Sequence, residues 1–308
     1  MRSSALPRLR SIIFLCLCFL VGVNAQADEK LKPYVMAANA PGDHAAVLAD
    51  TRRKLEKAGF DIIGEYSPYQ GASIIAVTNA ELKTTAAKTD MGGFGAVQRV
   101  SITTVDGNVQ VAHTNPRYMA HVYRMAGDLA GVAAKFEAAL GAQETFGAAG
   151  RSADELRNYH YKMFMPYFDE PWTLKEFPSQ GEAVREIESN LANGVGGASR
   201  VYRLDIPGQD ETVIGVGLTE GCGGDQFIMQ TITSAAELKA TPHLPYEVLI
   251  SGGKVRALHA KFRIAQSFPD LTMLGTGSFW DIRCAPDAIQ GALNLAVGNP
   301  ARATNAWQ

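Results

Sequence analysis

The chain repeats itself, and that repetition is what most narrows the folds open to it. Gly107-Asn108-Val109-Gln110-Val111-Ala112-His113-Thr114-Asn115-Pro116-Arg117 returns as Gly253-Lys254-Val255-Arg256-Ala257-Leu258-His259-Ala260-Lys261-Phe262-Arg263, with Gly, Val, His and Arg at the same places. Each copy follows a strand-like run, Gln98 to Thr104 or Pro245 to Ile250, and a tight turn, Asp106-Gly107 or Gly252-Gly253. Alternating apolar residues around such a dipeptide predict a β-hairpin. A chain that writes one hairpin twice is expected to build the same antiparallel unit twice.

The spacing of matched residues tests the duplication. Pro68 and Pro207, Ile75 and Ile214, Val77 and Val216, and Glu81 and Glu220 are each 139 positions apart, whereas Gly107 and Gly253, His113 and His259, and Arg117 and Arg263 are each 146 apart. The register therefore changes once, between Glu220 and Tyr246, where Gly221-Cys222-Gly223-Gly224-Asp225 stands. A further stretch, Phe268 to Ile282, has glycines at 275 and 277 and no counterpart in the first unit.

Element by element, the two units read alike. Pro33 to Ala40 is strand-like, Asp43 is a plausible N-cap for a helix over 45–58, and Gly59 closes it. Phe60 to Tyr66 and Ser73 to Thr78 read as strands, Ala80 to Lys88 as a short helix, and Asp128 to Leu140 as an amphipathic helix after the hairpin. In the second unit Tyr159 to Phe168, Arg200 to Ile206 and Val213 to Leu218 are strand-like, Gly181 to Asn193 and Asp287 to Val297 helical. The small, glycine-rich stretch 143–154 reads as a linker. The expectation is an α+β protein of two tandem units, 32–142 and 155–299, with a tail over 300–308. Each would be an antiparallel sheet with helices on one face, in the order β-α-β-β-α-β-β-α.

Ile74-Ile75-Ala76-Val77-Thr78-Asn79-Ala80-Glu81-Leu82, with Gly107-Asn108-Val109 and Asn115-Pro116, resembles a bacterial family catalogued as domain of unknown function 302. The resemblance implies two tandem copies of a TATA-box-binding-protein-like fold. It is fuller in the first unit, since the second has Lys261-Phe262 in place of Asn-Pro. It implies no activity, and the fold name carries no DNA binding with it.

The first 27 residues carry Arg2, Arg8 and Arg10, an uncharged apolar run from Ile12 to Val23, and Ala25-Gln26-Ala27. That is the plan of a cleavable secretory signal, and the run is short of the roughly 20 residues of a membrane-spanning helix. Cleavage would move the formal charge from −2 to −5, because 26 Lys and Arg then face 31 Asp and Glu. A mildly acidic exported chain is expected to be periplasmic or secreted, to hold no nucleic acid and to keep no membrane span. Only Cys222 and Cys284 would remain, and an oxidising compartment favours a bridge between them over two buried thiols or a redox or metal pair.

Familiar catalytic spacings such as H-E-x-x-H, G-x-S-x-G and G-x-x-x-x-G-K-[ST] are absent. The candidate ligand-binding residues are His113, Arg117, His259 and Arg263, one His and one Arg per unit. If strand-borne, His and Arg four apart share a face about 13 Å apart at ~3.3 Å per residue. Two readings stand for the histidines: imidazoles satisfied locally at the rim of the core, or matched ligand contacts. Arg117, Met119, His121, Tyr123 and Met125 would alternate onto one strand face, with Tyr159, Tyr161, Met163 and Met165 opening the second unit. Imidazole and thioether suit copper, so Met119 and His121 are the metal candidates, although Met more often fills core gaps. No cofactor is expected otherwise. The function expected is non-catalytic binding of a small apolar or amphipathic ligand, or of an envelope partner, in pockets where two units meet. The alternative is a periplasmic copper-type redox protein or enzyme.

Overall fold

In the computed structural model, residues 29–159 and 165–300 are described. In chain order the elements are β1 (Tyr34–Pro41), α1 (His44–Lys57), β2 (Asp61–Tyr66), β3 (Ala72–Thr78), α2 (Ala80–Ala86), β4 (Gln98–Val105), β5 (Asn108–Thr114), α3 (Pro116–Val122), α4 (Ala130–Leu140), β6 (Glu144–Phe146) and α5 (Ala153–Arg157). Then come β7 (Trp172–Glu176), α6 (Gln180–Ala192), β8 (Ala198–Asp205), β9 (Glu211–Leu218), α7 (Asp225–Thr233), β10 (Tyr246–Ser251), β11 (Lys254–Ala257), α8 (Ala260–Ser267) and α9 (Ala285–Ala296). The chain is α+β, with a large antiparallel sheet. Local chemistry sets the boundaries: the Asp43 carboxylate accepts the Ala46 N–H at 2.8 Å to start α1, and Gly59, at φ 82°, turns the chain after it.

Instead of the two separate sheets expected, the eleven strands of the described residues form one, in the order β6-β1-β5-β4-β3-β2-β8-β9-β10-β11-β7. The run β1-β5-β4-β3-β2 meets the run β8-β9-β10-β11-β7, so each half lists its strands in the same sequence outward from the centre. The seam between β2 and β8 is a single residue pair, Gly64 and Tyr202. Gly64 is required there, because a Cβ on it would sit 2.2 Å from the Val201 carbonyl oxygen.

Three sequence expectations change. The stretch 143–154 is no free linker: Glu144–Phe146 pairs with β1 as the outer strand, Arg151 bridges to Leu31, and Ser152 begins α5 with a capping box. An open β1 edge with unpaired backbone groups is covered by this short strand. The first described strand of the second half lies at Trp172–Glu176, beside β11, while residues 160–164 of the expected strand Tyr159 to Phe168 lie outside the described residues. Tyr161 and Met163, like the signal-like residues 1–27, fall outside the described residues. The hairpins also differ in length, β4 and β5 having eight and seven residues against six and four in β10 and β11.

Each half sends one connection across the other. The 3-10 turn Gly92–Gly95, between α2 and β4, lies on β9 and β10: Gly93 N–H donates to Glu211 Oε1 at 2.7 Å, and a Cβ on Gly93 would meet Leu249. Reciprocally, the turn Thr241–His243 lies on the first half, with Thr241 Oγ1 2.9 Å from Thr103 Oγ1 and 3.1 Å from the Tyr69 hydroxyl. The connections thus interleave, and the sheet face away from α1, α4, α6 and α9 is closed by them. Among the described residues no helix is long and apolar enough to cross a membrane.

Candidate functional site

The hairpin ends where helices begin, which moves Arg117, His259 and Arg263 off the strands and leaves His113 on β5. Asn115, with Pro116 after it, caps α3 by accepting the Arg117 N–H at 3.2 Å; His259 caps α8 by accepting the Lys261 N–H on Nδ1 at 3.2 Å. Asn115 and His259 therefore hold the same place, and His113 is not the counterpart of His259. The His-to-Arg spacing of the second copy is one helical turn, closed by the Arg263 N–H on the His259 carbonyl at 2.9 Å.

No side-chain hydrogen bond or ion pair among the described residues joins His113, Arg117, His259 and Arg263 to one another. His113 is 2% exposed, stacked on Phe136 of α4 with ring centroids 4.5 Å apart, and its Nδ1 bonds the Thr114 carbonyl at 2.7 Å. Arg117, half-buried on α3, pairs with Glu29 at 2.6 Å. His259 lies 4.4 Å, centroid to centroid, from Trp172. Met119 and His121 are not on a strand face: two apart on a helix, they point different ways. Met119 is in the core, while His121 Nδ1 accepts from the Arg157 guanidinium at 3.2 Å; burial, and then the Arg157 charge, lowers the imidazole pKa. The expected bridge is corrected too, since Cys222 and Cys284 are free thiols. They do touch, and burial together with the Cys284 thiol pushes Cys222 up to about 11, leaving little thiolate for exchange near neutral pH.

Burial drives the His113 pKa down from 6.5 to about 4. Between those values the unfolded chain binds a proton that the folded one refuses, so this histidine's contribution is fully present above pH 6.5 and is lost as the pH falls toward 4. At 1.4 kcal/mol per unit the loss is about 3 kcal/mol. Urea unfolding at pH 7 and pH 4.5 should show His113→Phe, which keeps the stack on Phe136, losing less stability on acidification than the parent. An identical loss in both would refute it. Asp225 works in the opposite direction, since burial raises its carboxyl to about 7 and so favours the folded state on the acid side.

The densest chemistry lies where the halves face each other, and only Arg263 of the sequence candidates belongs to it. Arg99 pairs with Ala76 in the sheet as Glu247 pairs with Gly215, and Ala76 and Gly215 are 139 positions apart in the duplicated sequence. By strand pairing Arg99 and Glu247 occupy matching positions in the two halves. They form an ion pair of 3.2 Å with both side chains 1% exposed. The Tyr202 hydroxyl donates to the same Glu247 Oε1, lying over Gly215, whose missing side chain leaves room for the ring. Arg263 reaches in from α8, donating to the carbonyls of His243 (2.8 Å) and Pro245 (2.7 Å) and to the Tyr123 hydroxyl (3.2 Å). Tyr66 and the Leu218 N–H both donate to Asp225 Oδ2 at 3.1 Å. Sequence reasoning passed over Arg99 and Glu247; the available signal was a lone charge at the second position of the strand before the turn in each copy.

Two open clefts flank the β4–β5 hairpin tip, of ≈ 370 Å³ and ≈ 410 Å³, sharing Val105, Asp106, Ser234 and Lys239. Tyr69 and Met229 line the first together with Thr103 and Gln230; Asn108 and Gln110 line the second. The Lys239 ammonium is held by the carbonyls of Thr233 (2.8 Å) and Ala236 (2.7 Å), so it contributes a fixed charge at the rim. Compared with known proteins, the chain matches no family model, no curated protein and no solved structure.

Proposed function

We propose that the chain is an exported, non-catalytic binding protein of the cell envelope that takes a small amphipathic ligand in the clefts beneath the β4–β5 hairpin tip. The observation that supports this reading is the mixed lining, an aromatic ring and a thioether together with hydroxyl and amide groups, with the one neighbouring ammonium already tied to carbonyls. Such a lining suits a ligand with one apolar face and several hydrogen-bonding groups, and disfavours a wholly apolar one. The resemblance to the domain of unknown function 302 family is part of the same proposal, and concerns the fold and not the ligand.

The test is a thermal-shift screen of small amphipathic metabolites against the full chain, followed by titration of the best binder. Gln230 is exposed on α7 and lines the cleft, so Gln230→Trp should fill it, weakening binding at least tenfold while the unfolding midpoint stays put. A binder that Gln230→Trp leaves unaffected would place the site elsewhere.

A further inference from the structure

We infer that the buried cluster between the halves is a binding site for a small carboxylate, held by His243, Tyr246 and Arg263. This inference is independent of the clefts. It begins from charge. Two guanidiniums, Arg99 and Arg263, are 1% exposed, and among the described residues the one carboxylate within ion-pair distance is Glu247, at 3.2 Å from Arg99 and 4.0 Å from Arg263. An unbalanced buried charge is costly, and folds that keep one compensate it with a counter-charge. Asp225 supplies part of that charge at most, its carboxyl being raised to about 7 and its bonded oxygen occupied by Tyr66 and Leu218.

Hydrogen bonding gives the second argument. Buried polar atoms are nearly always paired, yet Arg263 Nε, the Tyr246 hydroxyl and His243 Nε2 are buried without a hydrogen-bond partner. All three belong to one neighbourhood: the His243 and Tyr246 rings stand edge to face at 6.0 Å, and the Arg263 guanidinium carbon lies 5.4 Å from the Tyr246 ring centre. Arg263 Nε and the Tyr246 hydroxyl are donors. Gln266 Nε2 donates to Ser267 Oγ at 2.8 Å, and His243 Nδ1 lies 2.8 Å from the same oxygen; we take Ser267 as the donor to Nδ1, which puts the ring N–H on Nε2. Burial and the two arginines hold that imidazole neutral, with its pKa well below the usual value. An arginine N–H, a phenol O–H and an imidazole N–H, unfilled beside a surplus positive charge, match the several lone pairs of a carboxylate.

The discriminating variant is Tyr246→Phe, which removes a hydroxyl that no protein group needs. The full chain and the variant are titrated with ¹³C-labelled formate and acetate, following the bound carboxyl resonance, and their unfolding midpoints are compared in sodium formate, acetate and chloride at equal ionic strength. The expected result is one saturable site per chain and a higher midpoint in the carboxylates than in chloride, with affinity falling about tenfold or more in Tyr246→Phe. Equal midpoints in the three salts, or a Tyr246→Phe protein more stable than the parent in all of them, would mean that the hydroxyl is merely an unsatisfied group and would overturn the assignment. Because Gln230→Trp leaves this cluster untouched, failure here and failure of the cleft are separable.

Discussion

Replacing Glu247 with leucine should cost about 3–5 kcal/mol, the penalty for stripping the partner from a buried charge. The variant leaves Arg99 with one carbonyl, that of Pro242 at 3.1 Å, and leaves the Tyr202 hydroxyl without its acceptor. Part of the loss should return in Arg99→Met/Glu247→Leu, where matched apolar groups replace the ion pair, while the Tyr202 hydroxyl still lacks its acceptor and Arg263 keeps its two carbonyls and the Tyr123 hydroxyl but not the carboxylate at 4.0 Å. Urea unfolding of the two single variants and the double variant gives the coupling directly. A Glu247→Leu protein within 1 kcal/mol of the parent would show that the pair contributes little to joining the halves.

Gly64→Ala is the second large effect. The added Cβ would stand 2.2 Å from the Val201 carbonyl oxygen and 2.8 Å from the Tyr202 Cβ. The nearest obstacle is backbone, so no rotamer change relieves the clash, and β2 must move away from β8 at the only residue pair of their seam. The cost should be about 3 kcal/mol or more, at the upper end for an overpacked site. Gly181→Ala is the control: in α6, with nothing within 4 Å of its added Cβ, it should be neutral or slightly stabilising. Equal midpoints for the two variants would contradict the geometry described for the seam.

Much of the element list was legible because the residues that start and stop elements act locally. Asp43 and Gly59 bound α1, Gly141 closes α4, and the apolar run Ile74 to Val77 gave β3 without ambiguity. The error at the ends of the hairpins was avoidable in one copy. Asn115-Pro116 is a helix-start signal, but the His and Arg shared by both copies drew the strand onward through Arg117. In the second copy a histidine does the capping, an uncommon choice that sequence pattern does not announce. The seam and the candidate site were hidden for a different reason. A junction resting on one residue pair leaves no periodic trace, and Arg99 and Glu247 are 148 positions apart in the chain. Their relation follows only once Ala76 and Gly215 are known to be matched.

The exchanged connections bear on how the molecule is made. Tyr66 meets Asp225, Tyr69 meets Thr241 and Gly93 meets Glu211, contacts that close loops of more than a hundred residues. Distant closures of this kind are slow to form. During synthesis the N-terminal strands must wait, with their inner face uncovered, until residues around 241–247 have been made. Assembly of this protein is therefore a late, concerted event, and the interval before it is when the growing chain is most exposed to aggregation.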